Sequence, residues 1–261
     1  MAIKDNELRM NTSNRKRRGS SRYYIFFVLI LIALAGVGIG LRSWLSGVSW
    51  LNLETVRVSG NSCVADSVIH AMIEPYIGQN LLTLPKDEIE STISNLSRVK
   101  GVRVRGRLLN TLLVELRERK GCLYLRSLEG DLFPIDEEGV VLAKYSDVYR
   151  ENLPVMSILL HNSAIKEGEK LESAPLARVL AVHKKIIKEA PDFLPHISEY
   201  YTIDNIVHII DARDGTRLIP SSVNMAKQFS RYEFVQDNGN VSDGAILDLR
   251  FENQVVVKAG K

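Results

Sequence analysis

The sequence predicts an α+β protein with one N-terminal transmembrane helix, a β-α-α-β-β unit and a strand-rich C-terminal domain with two helices. A single uncharged run of 19 residues at 23–41 predicts the membrane helix. Strand and helix periodicities that follow one another over residues 53–120 predict the compact unit. Short alternating segments separated by turn residues over 121–258 predict the strand-rich domain. The 261 residues suffice for one or two modest domains.

The apolar run at residues 23–41 is long enough to cross a bilayer. A helix of that length extends about 28 Å, close to the ~30 Å thickness of the hydrocarbon core. The tail at residues 1–22 carries seven basic and two acidic side chains, a net charge of +5, whereas residues 43–261 carry −3. Because basic segments stay in the cytoplasm, the tail is predicted inside and the domains outside, joined to the span by a juxtamembrane linker at 42–52.

Two alternatives exist for this N-terminal region. Ala33-Leu34-Ala35 resembles a signal-peptide cleavage site, but the uncharged run exceeds the usual ~7–15 residues, which favours an uncleaved membrane anchor. The basic tail could also bind nucleic acid, yet topology alone explains its charge, so no nucleic acid is expected as a partner. Gly36 and Gly40 form G-x-x-x-G, a spacing that lets two membrane helices pack closely or that matches by chance.

Residues 53–120 are predicted to form two helices packed on a small sheet. Val56 and Val58 alternate with polar residues before the turn at Gly60-Asn61. Asp66 is expected to cap the first helix, and Pro85 to open the second. Two further strands follow the helices. The predicted core residues are Ile69, Ile73, Ile89, Ile93 and Leu112.

Strand and turn signals dominate residues 121–258. A hairpin is predicted over 131–142 with its turn at 136–139, and further strands over 197–204 and 205–220. Helices are expected from Ser173 and over roughly 222–236. Residues 245–258 fit either a strand pair or one long bulged strand. The last three residues, 259–261, are treated as a tail.

The sequence offers no catalytic, cofactor-binding or metal-binding motif. The five histidines lack metal-ligand spacing, and His183 on an apolar helix face is better explained as a core residue. The nucleophile-elbow and P-loop signatures are missing from the sequence, so we expect neither an enzyme nor a small-molecule substrate. Cys63 and Cys122 could pair outside the cytoplasm, but two cysteines form no framework, which favours unpaired thiols.

The order of these motifs resembles the bacterial cell-division family FtsQ/DivIB, and the β-α-α-β-β unit resembles a POTRA domain. The resemblance covers residues 15–258. It rests on Val58, Gly60-Asn61, residues 73–81 and 99–104, Asn110-Thr111-Leu112, Glu118-Arg119, residues 135–142, Leu153-Pro154, residues 214–216 and Asp248 to Phe251. The chain departs from the family pattern at Leu108-Leu109, Lys120-Gly121 and Pro220. These departures affect the expected geometry of local turns and not the overall resemblance.

The resemblance implies a non-catalytic scaffold of the divisome in the bacterial inner membrane at the septum. The POTRA unit would engage division partners near the membrane. The C-terminal strand region would bind small bitopic coiled-coil proteins of the FtsB and FtsL type. An open strand edge at residues 248–257 can accept a partner strand. The residues expected to contact the partner are Arg250, Phe251, Asn253, Val255, Val256 and Val257.

Several alternatives are weighed against this interpretation. Phe251 and alternate valines could belong to the core instead of an interface. A POTRA-bearing transport protein would need a barrel that about 140 residues cannot build. A membrane-anchored hydrolase would lose activity on mutation of a clustered nucleophile and base. A eukaryotic glycoprotein would use the sequons at Asn95 and Asn240, but Asn95 falls within a predicted helix.

Overall fold

The structure is a computed structural model and describes residues 20–107, 110–144, 152–239 and 241–258. Most of the predicted basic tail, Leu108-Leu109, Asn240 and the tail at 259–261 lie outside the described residues. The described part contains an apolar helix, a three-stranded sheet with two helices, and an eight-stranded sheet with two helices. The predicted α+β fold class is confirmed.

Helix α1 runs from Ser20 to Ser46 and contains a stretch, Tyr23–Leu45, that is long and apolar enough to cross a membrane. None of this stretch is buried against the other described residues. The helix continues past the predicted boundary at residue 41. A 3-10 turn at Ser49–Leu51 follows it, and Leu51 is already buried in the first domain. Little of residues 42–52 is therefore a free linker.

The first domain, residues 53–120, has the predicted β-α-α-β-β order. Its elements are β1 Thr55–Ser59, α2 Asp66–Ile73, α3 Lys86–Ser94, β2 Val99–Arg107 and β3 Thr111–Glu118. Strand β3 lies in the centre, parallel to β1 and antiparallel to β2. The two helices cover one face of this sheet. All five predicted core residues are fully buried there, because the helix stripe and the strand alternation point them at each other.

The start of α2 differs from the prediction. Ala65, and not Asp66, holds the N-cap position, and no side chain caps this helix. Asp66 is the first helical residue, and its carboxylate accepts a hydrogen bond from the Asn61 side chain. The preceding loop is instead fixed by Glu118, whose carboxylate accepts from the backbone N–H groups of Cys63 and Val64 at 2.9 and 2.8 Å. Those bonds lower the pKa of Glu118 although partial burial opposes them.

The second domain, residues 121–258, is a mixed sheet with helices on one face. Its elements are β4 Gly121–Arg126, β5 Leu132–Asp136, β6 Val155–Ser157, α4 Ala174–Glu189, β7 Ile197–Ile203, β8 Ile206–Asp211, β9 Arg217–Ile219, α5 Met225–Asn238, β10 Ile246–Asp248 and β11 Val256–Lys258. The strand order is β11-β10-β9-β8-β7-β6-β4-β5. The buried faces of α4 and α5 pack on this sheet. The C-terminal segment is thus a strand pair, one of its two predicted forms.

An ionic cluster joins the two domains where β3 leads into β4. Arg119 Nη1 lies 2.6 Å from the Asp136 carboxylate and 2.7 Å from that of Glu138. Lys100 Nζ lies 2.7 Å from the other oxygen of Glu138. The bonds from Lys100 and then from Arg119 lower the pKa of Glu138 to about 2. The fully buried Arg98 adds two bonds to the Ala143 carbonyl at 3.2 and 3.1 Å.

Candidate partner-binding site

Strand β11 is the outermost strand of the large sheet, and within the described chain it pairs only with β10. The antiparallel register sets Leu247 opposite Val257 and Asp248 opposite Val256. The free side of β11 therefore offers backbone donors and acceptors to another strand. Residues 249–255 form the turn before it, so the predicted edge at 248–257 is shorter and shifted to Val256–Lys258.

Two other outer strands, β5 of the large sheet and β2 of the small sheet, have edges that are at least partly occupied. Next to β5, the backbone N–H of Leu142 donates to the Pro134 carbonyl at 2.8 Å, and Val141 bridges Ile135. On β2 of the first domain, the Val104 N–H donates to the Glu90 carboxylate at 2.6 Å. A side chain that binds an edge N–H prevents strand addition at that point. These contacts favour β11 over β5 and β2 as the edge available to a partner.

The valines of the C-terminal segment divide between the two faces of the sheet. Val257 shares a face with the core residue Leu247, since directly opposed residues point the same way. Val255 packs against the same core cluster. Val257 is nonetheless 48% exposed, because no further strand of the described chain covers that side of β11. Val256 faces the opposite side together with Asp248. An added strand would complete the cover of Val257.

Arg231 on α5 holds the 249–255 turn in place. Its Nη1 atom donates to the carbonyls of Phe251 and Glu252, both at 2.6 Å, and Nη2 donates to that of Leu249 at 3.3 Å. Phe251 is 45% exposed with its backbone held in this way. The side chain is therefore presented at the surface and is not a core residue. Asn253, in the same turn, is also exposed.

Arg250 is engaged within the chain by the nearly buried Asp248. Its Nε and Nη2 atoms donate to the two oxygens of that carboxylate at 2.9 and 2.6 Å. The pair raises the pKa of Arg250 and lowers the pKa of Asp248. A bidentate pair of this kind fixes the guanidinium plane, while part of the group remains exposed at the surface. Arg250 thus keeps a set orientation at the end of β10.

Phe234 on α5 is a further surface residue at this site, in addition to those predicted from the sequence. It is 67% exposed and lines a groove of about 330 Å³ together with Arg231, Asn253 and Val255. A second groove of about 240 Å³ lies between α5 and Phe251 on the other side of Arg231. The buried positions of α5 are Met225, Gln228, Phe229 and Tyr232. Phe234 comes two positions after Tyr232, the last buried residue of α5, and so lies outside the apolar stripe. An aromatic side chain on the exposed face of a helix was the signal that could have indicated its role.

The remaining predicted residues lie away from this site. Around Gly36 and Gly40 no described atom lies within 4 Å of the position a Cβ would take, so close helix packing there stays a prediction. Cys63 and Cys122 are both free thiols, and burial raises the pKa of Cys122 to about 12. His183 is buried as expected, with Nδ1 2.8 Å from the Tyr200 hydroxyl.

Among the described residues, no group of three or more His, Cys, Asp or Glu side chains is placed to hold a metal ion. A groove of about 710 Å³ lies between the 137–139 turn and α4. Charged side chains of both signs line it, including Lys170, Glu172 and Lys184. This groove carries no assigned chemistry.

Comparison with known proteins identifies the first domain and gives relatives for about half of the chain. Residues 51–119 match the family model of the POTRA domain, FtsQ-type. The cell division protein FtsQ of Streptomyces venezuelae is 30% identical over 152 residues, 58% of this chain and 54% of that protein. DivIB of Clostridium botulinum is 26% identical over 135 residues, 51% and 49% of the two chains. The match therefore spans about half the length of these curated relatives.

A solved structure also aligns with the chain. It is the major extracytoplasmic domain of the trans isomer of the cell division protein DivIB from Geobacillus stearothermophilus. The alignment covers 45% of this chain and 91% of that one, with 17% sequence identity and a TM-score of 0.28. The family match and the curated relatives confirm the resemblance predicted from the sequence.

Proposed function

We propose that this chain, which carries an FtsQ-type POTRA domain and is a relative of the cell division proteins FtsQ and DivIB, is a non-catalytic scaffold of the divisome. The observation that carries the proposal is the unpaired edge of β11 beside the exposed Phe251 and Phe234. Backbone groups and apolar side chains at one place suit protein–protein binding. The scaffold role follows from this binding, not from chemistry at a pocket.

In this proposal α1 crosses the bacterial inner membrane at the septum. The basic tail lies in the cytoplasm and both domains lie outside it. The proposal is supported by the apolar Tyr23–Leu45 stretch and by the net charge of +5 that precedes it. The POTRA unit then engages other division partners close to the membrane.

The proposed partner at β11 is a small bitopic coiled-coil protein of the FtsB or FtsL type. A segment of that partner adds a strand to Val256–Lys258, so that backbone hydrogen bonds supply affinity. Apolar partner side chains then cover Phe251, Phe234 and Val257. Arg231 keeps the turn in position and is a positioning residue in this arrangement.

The test measures binding of the full-length chain, in nanodiscs, to the FtsB-type protein of the same organism. Phe251→Ala and Phe234→Ala should each weaken binding at least tenfold, since central aromatic residues commonly contribute ~2 kcal/mol or more. Both side chains lie at the surface, so the thermal unfolding temperature should stay within about a degree or two of that of the unsubstituted protein.

Leu159→Ala is the matched control, because Leu159 is highly exposed beside β6, far from β11 in the strand order. It should leave affinity unchanged. Wild-type affinity in both phenylalanine variants would reject β11 and its surroundings as the partner site. A parallel loss of stability and affinity would instead assign the two phenylalanines a structural role.

A further inference from the structure

The loop between α2 and α3 is hydrogen-bonded to the end of the membrane helix. The Asn80 side-chain amide donates to the carbonyl oxygens of Leu45 and Val48 at 3.1 and 3.4 Å. The Leu45 carbonyl lies in the last turn of α1, where carbonyls lack partners within the helix, and it also accepts from the Val48 N–H at 3.3 Å. Asn80 therefore adds a second donor at this helix end. The Leu81 N–H also donates to the Leu51 carbonyl at 2.9 Å.

This contact places the loop at the level where α1 leaves the bilayer. The Tyr23–Leu45 stretch has 23 residues, which as a helix is about 34 Å long. The hydrocarbon core is only ~30 Å thick, so the Leu45 carbonyl lies at the lipid–water interface. Asn80, at hydrogen-bond distance from that carbonyl, lies at the same level. The loop is thus fixed where headgroups are.

Two large apolar side chains of the loop are exposed at this level. Ile77 is 47% exposed and Leu82 is 45% exposed, although the neighbouring Leu81 and Leu84 are buried in the domain core. Trp50 lies between the loop and the membrane helix in the chain and is exposed as well. Tryptophan is typical of membrane interfaces, where a polar edge meets water and the ring meets lipid.

Charge does not define this surface. Arg42 and Lys86 provide basic groups near the end of α1 and the start of α3, but the acidic Asp87 directly follows Lys86. The apolar side chains are therefore the feature that a partner would recognise. A lipid interface fits better than a protein, because the loop already occupies the interface by its bonds to α1.

We infer that Ile77 and Leu82 insert into the outer lipid interface, so that the first domain rests on the bilayer instead of standing free above it. The inference depends on the proposed function only for the insertion of α1, and not for any binding partner. Asn80 acts as a positioning residue, because it holds the loop against the span.

Tryptophan quenching by brominated phospholipid in nanodiscs tests this inference on the full-length chain. The chain has only two tryptophans, Trp44 and Trp50. With both replaced by Phe, Leu82→Trp supplies one reporter in the loop. Its fluorescence should fall to half or less in brominated lipid relative to unbrominated lipid. Leu159→Trp in the same background is the matched control and should not be quenched.

Trp44 alone, retained with Trp50→Phe, reports insertion of the span. Quenching at Trp44 with none at Leu82→Trp would overturn the inference and leave the membrane helix intact. A blue-shifted but unquenched Leu82→Trp would show contact with protein, for example a second copy, and would overturn it too. Absence of quenching at both would reject the span together with the inference.

A second variant checks that the loop is held by Asn80. Asn80→Ala should reduce quenching at Leu82→Trp at least twofold, because the loop is released from α1. Gln79→Ala is the matched neighbour, since Gln79 is exposed and its side chain bonds only locally to Pro75. It should leave quenching unchanged. Equal quenching in both variants would contradict the positioning role.

Discussion

Ile73 and Ile77 are four residues apart, yet one is buried and the other is exposed. Ile73 is the last residue of α2 and is fully buried, whereas Ile77 is exposed. In a continuous helix, residues at this spacing would share one face. The 3-10 turn at Glu74–Tyr76, with Pro75 inside it, ends the α-helical repeat and turns the second isoleucine outward.

Truncation of Ile73 should therefore be costly. Ile73→Ala removes a fully buried side chain from the first domain, and we expect the free energy of unfolding to fall by about 2–5 kcal/mol. Ile187→Ala on α4, where the side chain is exposed, should change it by less than about 0.5 kcal/mol. Chemical denaturation of both variants measures the difference. An equal cost in the two would mean that Ile73 does not lie in the core.

At this scale, periodic patterns were predictive and long-range contacts were not. Ile69, Ile73 and their partners follow from helix and strand periods alone. The alternating pattern of Val255 to Val257 does not predict whether Phe251 is buried or exposed. Phe251 lies in the turn before the strand, where the two-residue period of a strand does not apply. The bonds from Arg231 join α5 to carbonyls 18 to 21 positions later, and no local pattern encodes such a contact.

The turn between β10 and β11 depends on one side chain of another element. Arg231→Ala removes three hydrogen bonds to the turn, and we expect faster amide hydrogen exchange over residues 249–258 and at least fivefold weaker partner binding. Arg231→Lys should restore little, because a single ammonium lacks the planar fork that reaches several carbonyls.

Lys188→Ala on α4 controls for the loss of one positive charge from a helix, since Lys188 is exposed and lies near the end of α4. Exchange rates and affinity should match those of the unsubstituted protein. Normal exchange at residues 249–258 in Arg231→Ala would contradict the positioning role, whatever the affinity.

Long elements were predicted well and short ones were not. The 16 residues of α4, which follow its N-cap Ser173, give several turns of an apolar stripe. Strand β6 has three residues, too few for an alternating pattern, and it forms only because parallel β4 and β7 lie on either side. The returning limb of the 131–142 hairpin likewise forms only isolated bridges. Tertiary context, not local preference, decides such segments.

At the level of the whole molecule, acid should weaken the junction between the domains. Glu138 has a pKa of about 2, below its ordinary value of 4.5, because Lys100 and Arg119 bind the charged form. A lowered pKa in the folded state gives stability that is present above pH 4.5 and is lost as pH falls toward 2. Thermal unfolding of the full chain should show this loss across that interval.

The matched pair Glu138→Gln and Glu137→Gln isolates this effect from other acidic groups. Glu138→Gln should lower the unfolding temperature at pH 7 and reduce its decline between pH 4.5 and 2. Glu137, whose closest oxygen is 3.6 Å from Lys100, should matter less. If both variants follow the same pH curve as the unsubstituted protein, the cluster does not stabilise the junction.

The change in pattern near residue 121 predicts a boundary between two domains, but it does not predict the contacts that cross this boundary. Arg119 and Asp136 are separated by 17 positions, and each has an adequate local explanation as a turn or strand-end residue. The sequence does not predict that Arg98 is fully buried, because arginine is rarely buried unless it is paired. Such contacts require the assembled fold.

The bonds of Asn80 to α1 and the short connection between β3 and β4 leave few points at which the chain can pivot. Under the proposed function, the first domain therefore acts as a spacer of set length, and β11 stands at a fixed elevation above the lipid. A bitopic partner anchored in the same bilayer meets that elevation only if its own coiled coil has the matching number of heptads. Removing one heptad shortens a helix by about 10 Å and would carry the partner strand below the edge.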